Sequence, residues 1–253
     1  MNTSRRILAV LLTAAASACV EPGPPATGEP GTGPSAPAGS LLARLNAEQA
    51  EGRVLFQSVC WTCHGLGGRG DGPALQSDTA GQPPDFIAEG YAELSVDALL
   101  DRFQASLTGD GTDPAHPHMK HVVTLLKPER FRAALSYIPV LAYPPGIPGS
   151  AVNGMALYET RCTGCHGERG DGAGYAADAL ITVKPADFRA DTLIAAGDFE
   201  GLFRRVREGG RTVHGSSMPP WGTALSEAET WDLVAYVATF QEGALPPLPG
   251  GEG

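Results

Sequence analysis

The 253-residue chain is short of several things, and each shortage closes off a class of protein. No apolar stretch is long enough to cross a bilayer, which takes about 20 residues. The longest, Ile7 to Ala18, is about twelve. No alternating apolar–polar run is long enough to build a sheet, so the expected fold class is all-α. Basic residues are outnumbered, 18 against 28 acidic, for a net charge of −10, which disfavours a nucleic-acid partner. Large apolar residues vanish between Glu21 and Ser40, where Pro, Gly, Ala and Thr dominate; such a segment cannot bury enough surface to fold. Cysteines number five and methionines four, few enough for each to be accounted for.

Four of the five cysteines fall in two copies of one pentapeptide, Cys60-Trp61-Thr62-Cys63-His64 and Cys162-Thr163-Gly164-Cys165-His166. C-x-x-C-H is the signal for covalent attachment of a c-type haem. Cysteines three residues apart lie one helical turn apart, so both reach the same haem edge, and the adjacent histidine reaches the iron. Redox dithiols and zinc knuckles also use C-x-x-C. Neither needs an immediate His and a downstream Met in both copies, so two covalently bound haem c groups are the expected cofactors.

The fifth cysteine belongs to the start of the chain. Arg5 and Arg6 precede the short apolar run, which has the length of a signal-peptide core, and residues 1–18 read as a targeting segment. Removing those two positive charges takes the net charge from −10 to −12, because no acidic residue lies before Cys19. Ala16-Ser17-Ala18-Cys19 resembles a bacterial lipobox, which implies a lipid on Cys19; the other reading is an ordinary cleavage site followed by a stray thiol. A lone thiol in an oxidising compartment is a liability, which favours the lipid. Residues 19–40 would then be a disordered Pro/Gly-rich tether holding a soluble head some tens of ångströms from a membrane.

The remaining 210 or so residues form a tandem repeat. Gly52, Leu55 and Phe56 match Gly154, Leu157 and Tyr158 at a spacing of 102 residues. Gly70-Asp71-Gly72 and Gly170-Asp171-Gly172 follow, offset by two. Alignment returns at Pro83-Pro84-Asp85-Phe86 against Pro185-Ala186-Asp187-Phe188, each Phe 22 residues beyond its histidine. Met119 precedes Tyr137 by 18 residues, as Met218 precedes Tyr236. The expected domains are 41–143 and 150–243, joined by a linker at 144–149 and followed by a flexible tail at 244–253. Asn46, Ser150, Ser95, Asp198 and Ser226 are placed to start helices, and Pro128 suits a first helical position.

Each haem needs a second axial ligand or keeps an open iron. Met218 stands in Ser217-Met218-Pro219-Pro220-Trp221, 52 residues past His166. The repeat assigns the same role to Met119, 55 residues past His64. Thioether sulfur is a soft ligand, and His/Met coordination raises a haem's potential. Met1 is the initiator and Met155 falls before its haem motif, which leaves one Met per haem. At the first haem, His116, His118 and His121 crowd Met119, so bis-His ligation is the competing expectation there.

Both repeats resemble class I cytochrome c domains of the group that includes the third subunit of high-affinity haem–copper oxidases. The matching residues are Cys-x-x-Cys-His-Gly with Gly-Asp-Gly, Pro-x-Asp-Phe, Met-Pro-Pro-Trp and the final helix from Trp231 to Tyr236; the first domain has Lys120-His121-Val122 in place of Pro-Pro-Trp. The resemblance implies N- and C-terminal helices crossing beside each haem. It also implies that Pro83 and Pro185 lend their carbonyls to the proximal histidines. An electron carrier is expected, with no catalytic residue. Its acidic surface would steer redox proteins, among them a quinol-oxidising complex and a terminal oxidase or reductase. The alternative is a di-haem redox enzyme, peroxidase-like or thiosulfate-oxidising, with the first haem as its reactive site.

Overall fold

The computed structural model describes residues 41–249 apart from 76–82, 89, 109–116, 181–182 and 213–214, and apart from the side chains of residues 75, 108, 117, 118, 120, 121 and 212. The expected signal segment and tether (1–40) with Cys19, His116, and the side chains of His118 and His121, lie outside that set. The described residues are helical, with no strand among them.

In the first domain, helix α1 (Ala47–Leu55) starts at Asn46. The Asn46 side chain accepts from the Gln49 N–H (2.9 Å) while the Gln49 side chain accepts from the Asn46 N–H (3.1 Å), a reciprocal cap that satisfies two orphan donors. One π turn (Phe56–Cys60) leads into the short α2 (Trp61–His64). Helices α3 (Val96–Thr108), α4 (Pro117–Leu125) and α5 (Pro128–Leu141) follow, α5 with Pro128 at its first turn as expected. The second domain repeats the plan. Helix α6 (Ala151–Arg161) is capped by Ser150, and α7 (Thr163–His166) carries the second haem motif. Then come α8 (Thr192–Ala195), α9 (Phe199–Glu208) capped by Asp198, and α10 (Glu227–Ala238) with the Ser226–Glu229 capping box.

In each domain the first and last long helices cross at a glycine. A Cβ on Gly52 would fall on the Ala133 carbonyl of α5, and one on Gly154 on the Asp232 carbonyl of α10. Only glycine permits that backbone approach. Buried aromatic rings fill the crossing: Phe56 against Tyr137 at 5.7 Å, and Tyr158 against Tyr236 at 5.3 Å.

The two repeats share one core rather than hanging on a free hinge. The expected linker is partly buried: Pro144 and Ile147 are almost fully enclosed, as is Ser150 just after it, whereas Gly146 and Pro148 are exposed. Asp232 of α10 accepts from the Ser150 N–H and from the Arg69 guanidinium, both at 2.7 Å. The Asn153 amide donates to the Gly67 carbonyl at 3.1 Å. The loop after the first haem motif is therefore held against the second domain.

The expected tail is corrected for residues 244–249, which pack as a strap. Leu248 is buried, the Tyr143 hydroxyl donates to the Pro246 carbonyl at 2.8 Å, and the Gln49 amide donates to the Pro249 carbonyl. Outside a helix those carbonyls need donors, and the first domain supplies them.

Candidate functional site

The two haem motifs have the same local build. Helices α2 and α7 end at Gly65 and Gly167, whose N–H groups donate to Trp61 and Thr163 (2.8 and 2.9 Å). The chain then turns back beneath each histidine. The His64 carbonyl accepts from Gly70 and the His166 carbonyl from Gly172, both at 2.9 Å; Cys63 accepts from Gly72 and Cys165 from Gly174. These bonds pair the loops without a gap. The two Gly-Asp-Gly triplets are therefore not equivalent positions: Gly70 corresponds to Gly172, not to Gly170.

The Pro-x-Asp-Phe segment turns out to back the histidine. Phe86 stacks on His64 with centroids 4.7 Å apart and planes at 19°; Phe188 stacks on His166 at 4.6 Å and 17°. The aspartate explains its place in the motif. Asp85 accepts from the Ile87 N–H (2.8 Å) and Asp187 from the Arg189 N–H (3.0 Å), closing the turn that aims the phenyl ring. Both Phe N–H groups bond back to the haem loop, at the Gly68 and Gly170 carbonyls. The equal 22-residue spacing was the sequence signal for this pairing; the ring-on-ring contact was not legible.

The expected proline carbonyls lie close to the glycines of the haem loops. Pro83 and Pro185 turn their carbonyls toward Gly70 and Gly172. At the second site the next residue takes the role, with His166 Nδ1 3.4 Å from the Ala186 carbonyl. Burial pushes the His166 pKa down, and that carbonyl opposes the shift by favouring the protonated ring.

Around His166 lies an open cleft with mostly apolar walls. Cys162, Cys165, Pro185, Phe188, Leu202, Met218, Trp221, Leu233 and Val237 line it, so both thiols, the imidazole and the thioether meet in one apolar space. Arg161, Lys184 and Arg205 add positive charge to its walls, complementary to the carboxylates of a haem. Burial pushes the Cys60 and Cys162 thiols up to about 11, and all four motif cysteines are free rather than disulfide-bonded. Two thiols, an imidazole and a thioether in a dry cleft suit an iron porphyrin. Among the described residues no three His, Cys, Asp or Glu side chains gather as a metal-ion cluster.

The distal residues differ between the domains. Met218 sits in extended chain: its carbonyl accepts from the Gly210 N–H at 2.8 Å and its N–H donates to the Ser216 hydroxyl at 3.2 Å. Met119 is the third residue of helix α4, half-buried against the core of the first domain.

Two C-x-x-C-H helices, each histidine backed by a stacked phenylalanine, on a helical scaffold with no strand among the described residues, define a c-type cytochrome. The chain belongs to that family, as a tandem of two cytochrome c domains carrying two covalently bound haems. Residues 49–141 match the family model described as cytochrome c, and residues 149–237 match cytochrome c oxidase, cbb3-type, subunit III. Among known proteins the chain is similar to the cbb3-type cytochrome c oxidase subunit FixP of Azorhizobium caulinodans, 26% identical over 209 residues, 79% of this chain and 62% of that one. Subunit CcoP of Azospirillum sp. is 24% identical over 213 residues, 79% and 64% of the two chains. This chain therefore spans less than two thirds of the length of these relatives. A solved chain from a Kuenenia stuttgartiensis reducing HAO-like protein complex covers 76% of this chain and 96% of its own, at 23% identity and a TM-score of 0.32. No helix among the described residues is long and apolar enough to cross a membrane.

Proposed function

We propose that this protein is a di-haem electron carrier that acts on the exported, periplasmic side of a membrane, tethered through a lipid on Cys19. The observation that carries the reading is the convergence of Cys162, Cys165, His166 and Met218 on one apolar cleft. Cys60, Cys63, His64 and Met119 are the matching set at the first haem. Bound haem would supply a one-electron ferric/ferrous couple. The chain's own residues do the rest. The thiols would hold the haem covalently, the histidine and the methionine would supply the ligands of its iron, and Phe86 and Phe188 stack on the imidazole rings and restrain them. Around the second haem the apolar walls would limit reorganisation as the iron changes charge. An iron ligated by both residues would offer a substrate no open position.

The partners that suit such a carrier are a quinol-oxidising complex as donor and a terminal oxidase or reductase as acceptor. The relatives' names as oxidase subunits support the second of these. Ferric-state near-infrared spectroscopy and a potentiometric titration test the reading. A methionine-to-iron band from both haems with two high potentials is expected. High-spin or bis-His signals at the first haem would instead favour the di-haem enzyme. For the tether, Cys19→Ser is expected to move the protein from the membrane to the soluble fraction, and retention at the membrane would refute the lipid.

A further inference from the structure

The second domain holds its distal methionine with a device built at the end of helix α9. Helix α9 stops at Gly209, whose φ of +58° is a conformation that L side chains rarely adopt. The next N–H, of Gly210, donates to the Met218 carbonyl at 2.8 Å. A Cβ on Gly209 would fall on the carbonyls of Met218 and Pro219, and one on Gly210 would fall on that of Ser216. Two residues before Gly209, Arg207 reaches the part of the same loop that follows Met218. Its guanidinium lies 3.4 Å from the Gly222 carbonyl and 3.5 Å from that of Leu225, long contacts that share one donor group between two acceptors. The arginine is held in place by the Phe203 ring, 5.6 Å away, which stacks at 4.4 Å on Trp231 of α10. The chain on both sides of Met218 is thus fastened to the end of one helix.

We infer that Arg207, Gly209 and Gly210 are positioning residues that fix the Met218 backbone so that its thioether stays on the second haem iron and resists displacement. The inference rests on the reading of Met218 as an axial ligand. A backbone held at a single place keeps the sulfur near the iron after any transient dissociation, so rebinding outruns capture of a competing ligand. Loosening the fastening leaves the ligand identity intact and lowers its effective concentration at the metal.

The ferric holoprotein provides the test, with imidazole as the competing ligand and the near-infrared methionine-to-iron band as readout. Met218→Leu is expected to abolish the second haem's share of the band. Gly209→Ala forces a side chain into a left-handed position and onto the Met218 and Pro219 carbonyls. It is expected to lower the imidazole concentration that displaces Met218 by about tenfold. Arg207→Gln should lower it less, and Arg207→Lys should recover part of the loss. Haem content and the first haem's spectrum should not change. A full band in Met218→Leu overturns the ligand reading. Loss of the band in Met218→Leu, together with wild-type displacement in Arg207→Gln and in Gly209→Ala, overturns the fastening alone. Should Gly209→Ala not fold, Arg207→Gln decides by itself.

Discussion

The two haem domains agree on the proximal side and part company on the distal side. Under each histidine the backbone hydrogen bonds, the stacked phenylalanine and the glycine crossing of the flanking helices are the same. Above the iron, α9 ends at Gly209 and hands the chain to an extended segment that carries Met218. Helix α3 runs to Thr108, and Met119 stands on a helix of its own. Covalent attachment and proximal support are shared requirements of both haems, whereas the distal loop is where two copies of one domain can acquire different potentials and ligand lability.

The largest expected effect comes from removing the distal ligands one at a time. Met218→Leu and Met119→Leu should each eliminate one haem's methionine-to-iron band and lower that haem's potential by on the order of 0.1 V, read by potentiometric titration of the holoprotein. The comparison is sharpened by which haem responds. A potential that stays put in Met119→Leu would assign the first haem's sixth ligand to a neighbouring histidine and make the two domains chemically distinct.

Next in size is the joint between the domains. Arg69 follows the first haem motif and pairs with Asp232 at 2.7 Å; at the matching loop position of the second domain stands Asp171, which pairs with Arg169 in its own loop at 3.1 Å. The first pair is largely buried, with side-chain exposures of 21% and 6%, while Arg169 is 83% exposed. Removing one partner of a buried pair strands the other, so Asp232→Ala should cost about 3 kcal/mol in chemical denaturation at neutral pH. Arg169→Ala should cost under about 1 kcal/mol. The two arginines thus separate a joint from a surface contact. A pH series adds a sign. Burial holds the Asp232 carboxyl above its ordinary value of 3.8, outweighing the Arg69 guanidinium and the Ser150 N–H that favour its charged form. The folded protein then binds that proton more tightly than the unfolded chain. The stability this contributes is full below pH 3.8 and is lost as pH rises through the folded value. Asp232→Asn should flatten that part of the stability-against-pH curve, and an unchanged slope would mean that another group carries it.

What the sequence made legible was whatever recurs at fixed spacing. The thiols, histidines, methionines and helix caps are local and paired, and Asn46, Ser150, Asp198 and Ser226 all cap as their residue types require. Contacts that depend on the assembled backbone were not legible. The offset Gly-Asp-Gly triplets invited an equivalence that the hydrogen bonds deny, because a glycine's identity says less than which carbonyl its N–H meets. Ala186 rather than Pro185 faces His166 for the same reason. The segment after 243 looked like a tail because Pro and Gly signal weak local structure; Leu248 is buried by a surface more than 100 residues away in sequence, which no local pattern encodes.

The strap provides the smallest test of the comparison, since it ties the end of the second domain to the first. The Tyr143 hydroxyl is the donor that holds the Pro246 carbonyl at 2.8 Å, and Tyr143 itself is almost fully buried at the start of the linker. Tyr143→Phe keeps the ring and deletes the hydroxyl with its bonds to the Pro246 carbonyl and to Arg44, at a cost of about 1 kcal/mol or more in denaturant unfolding. If the strap serves to join the two repeats, the same variant should raise amide exchange in residues 244–249 and around α1, where Gln49 holds the Pro249 carbonyl, while exchange in α9 and the Met218 loop is unchanged. Faster exchange spread evenly over both domains would mean that Tyr143 supports the shared core in general. The strap would then be a passenger on that core, and Arg69 with Asp232 would be left as the polar contact that joins the two haem sites.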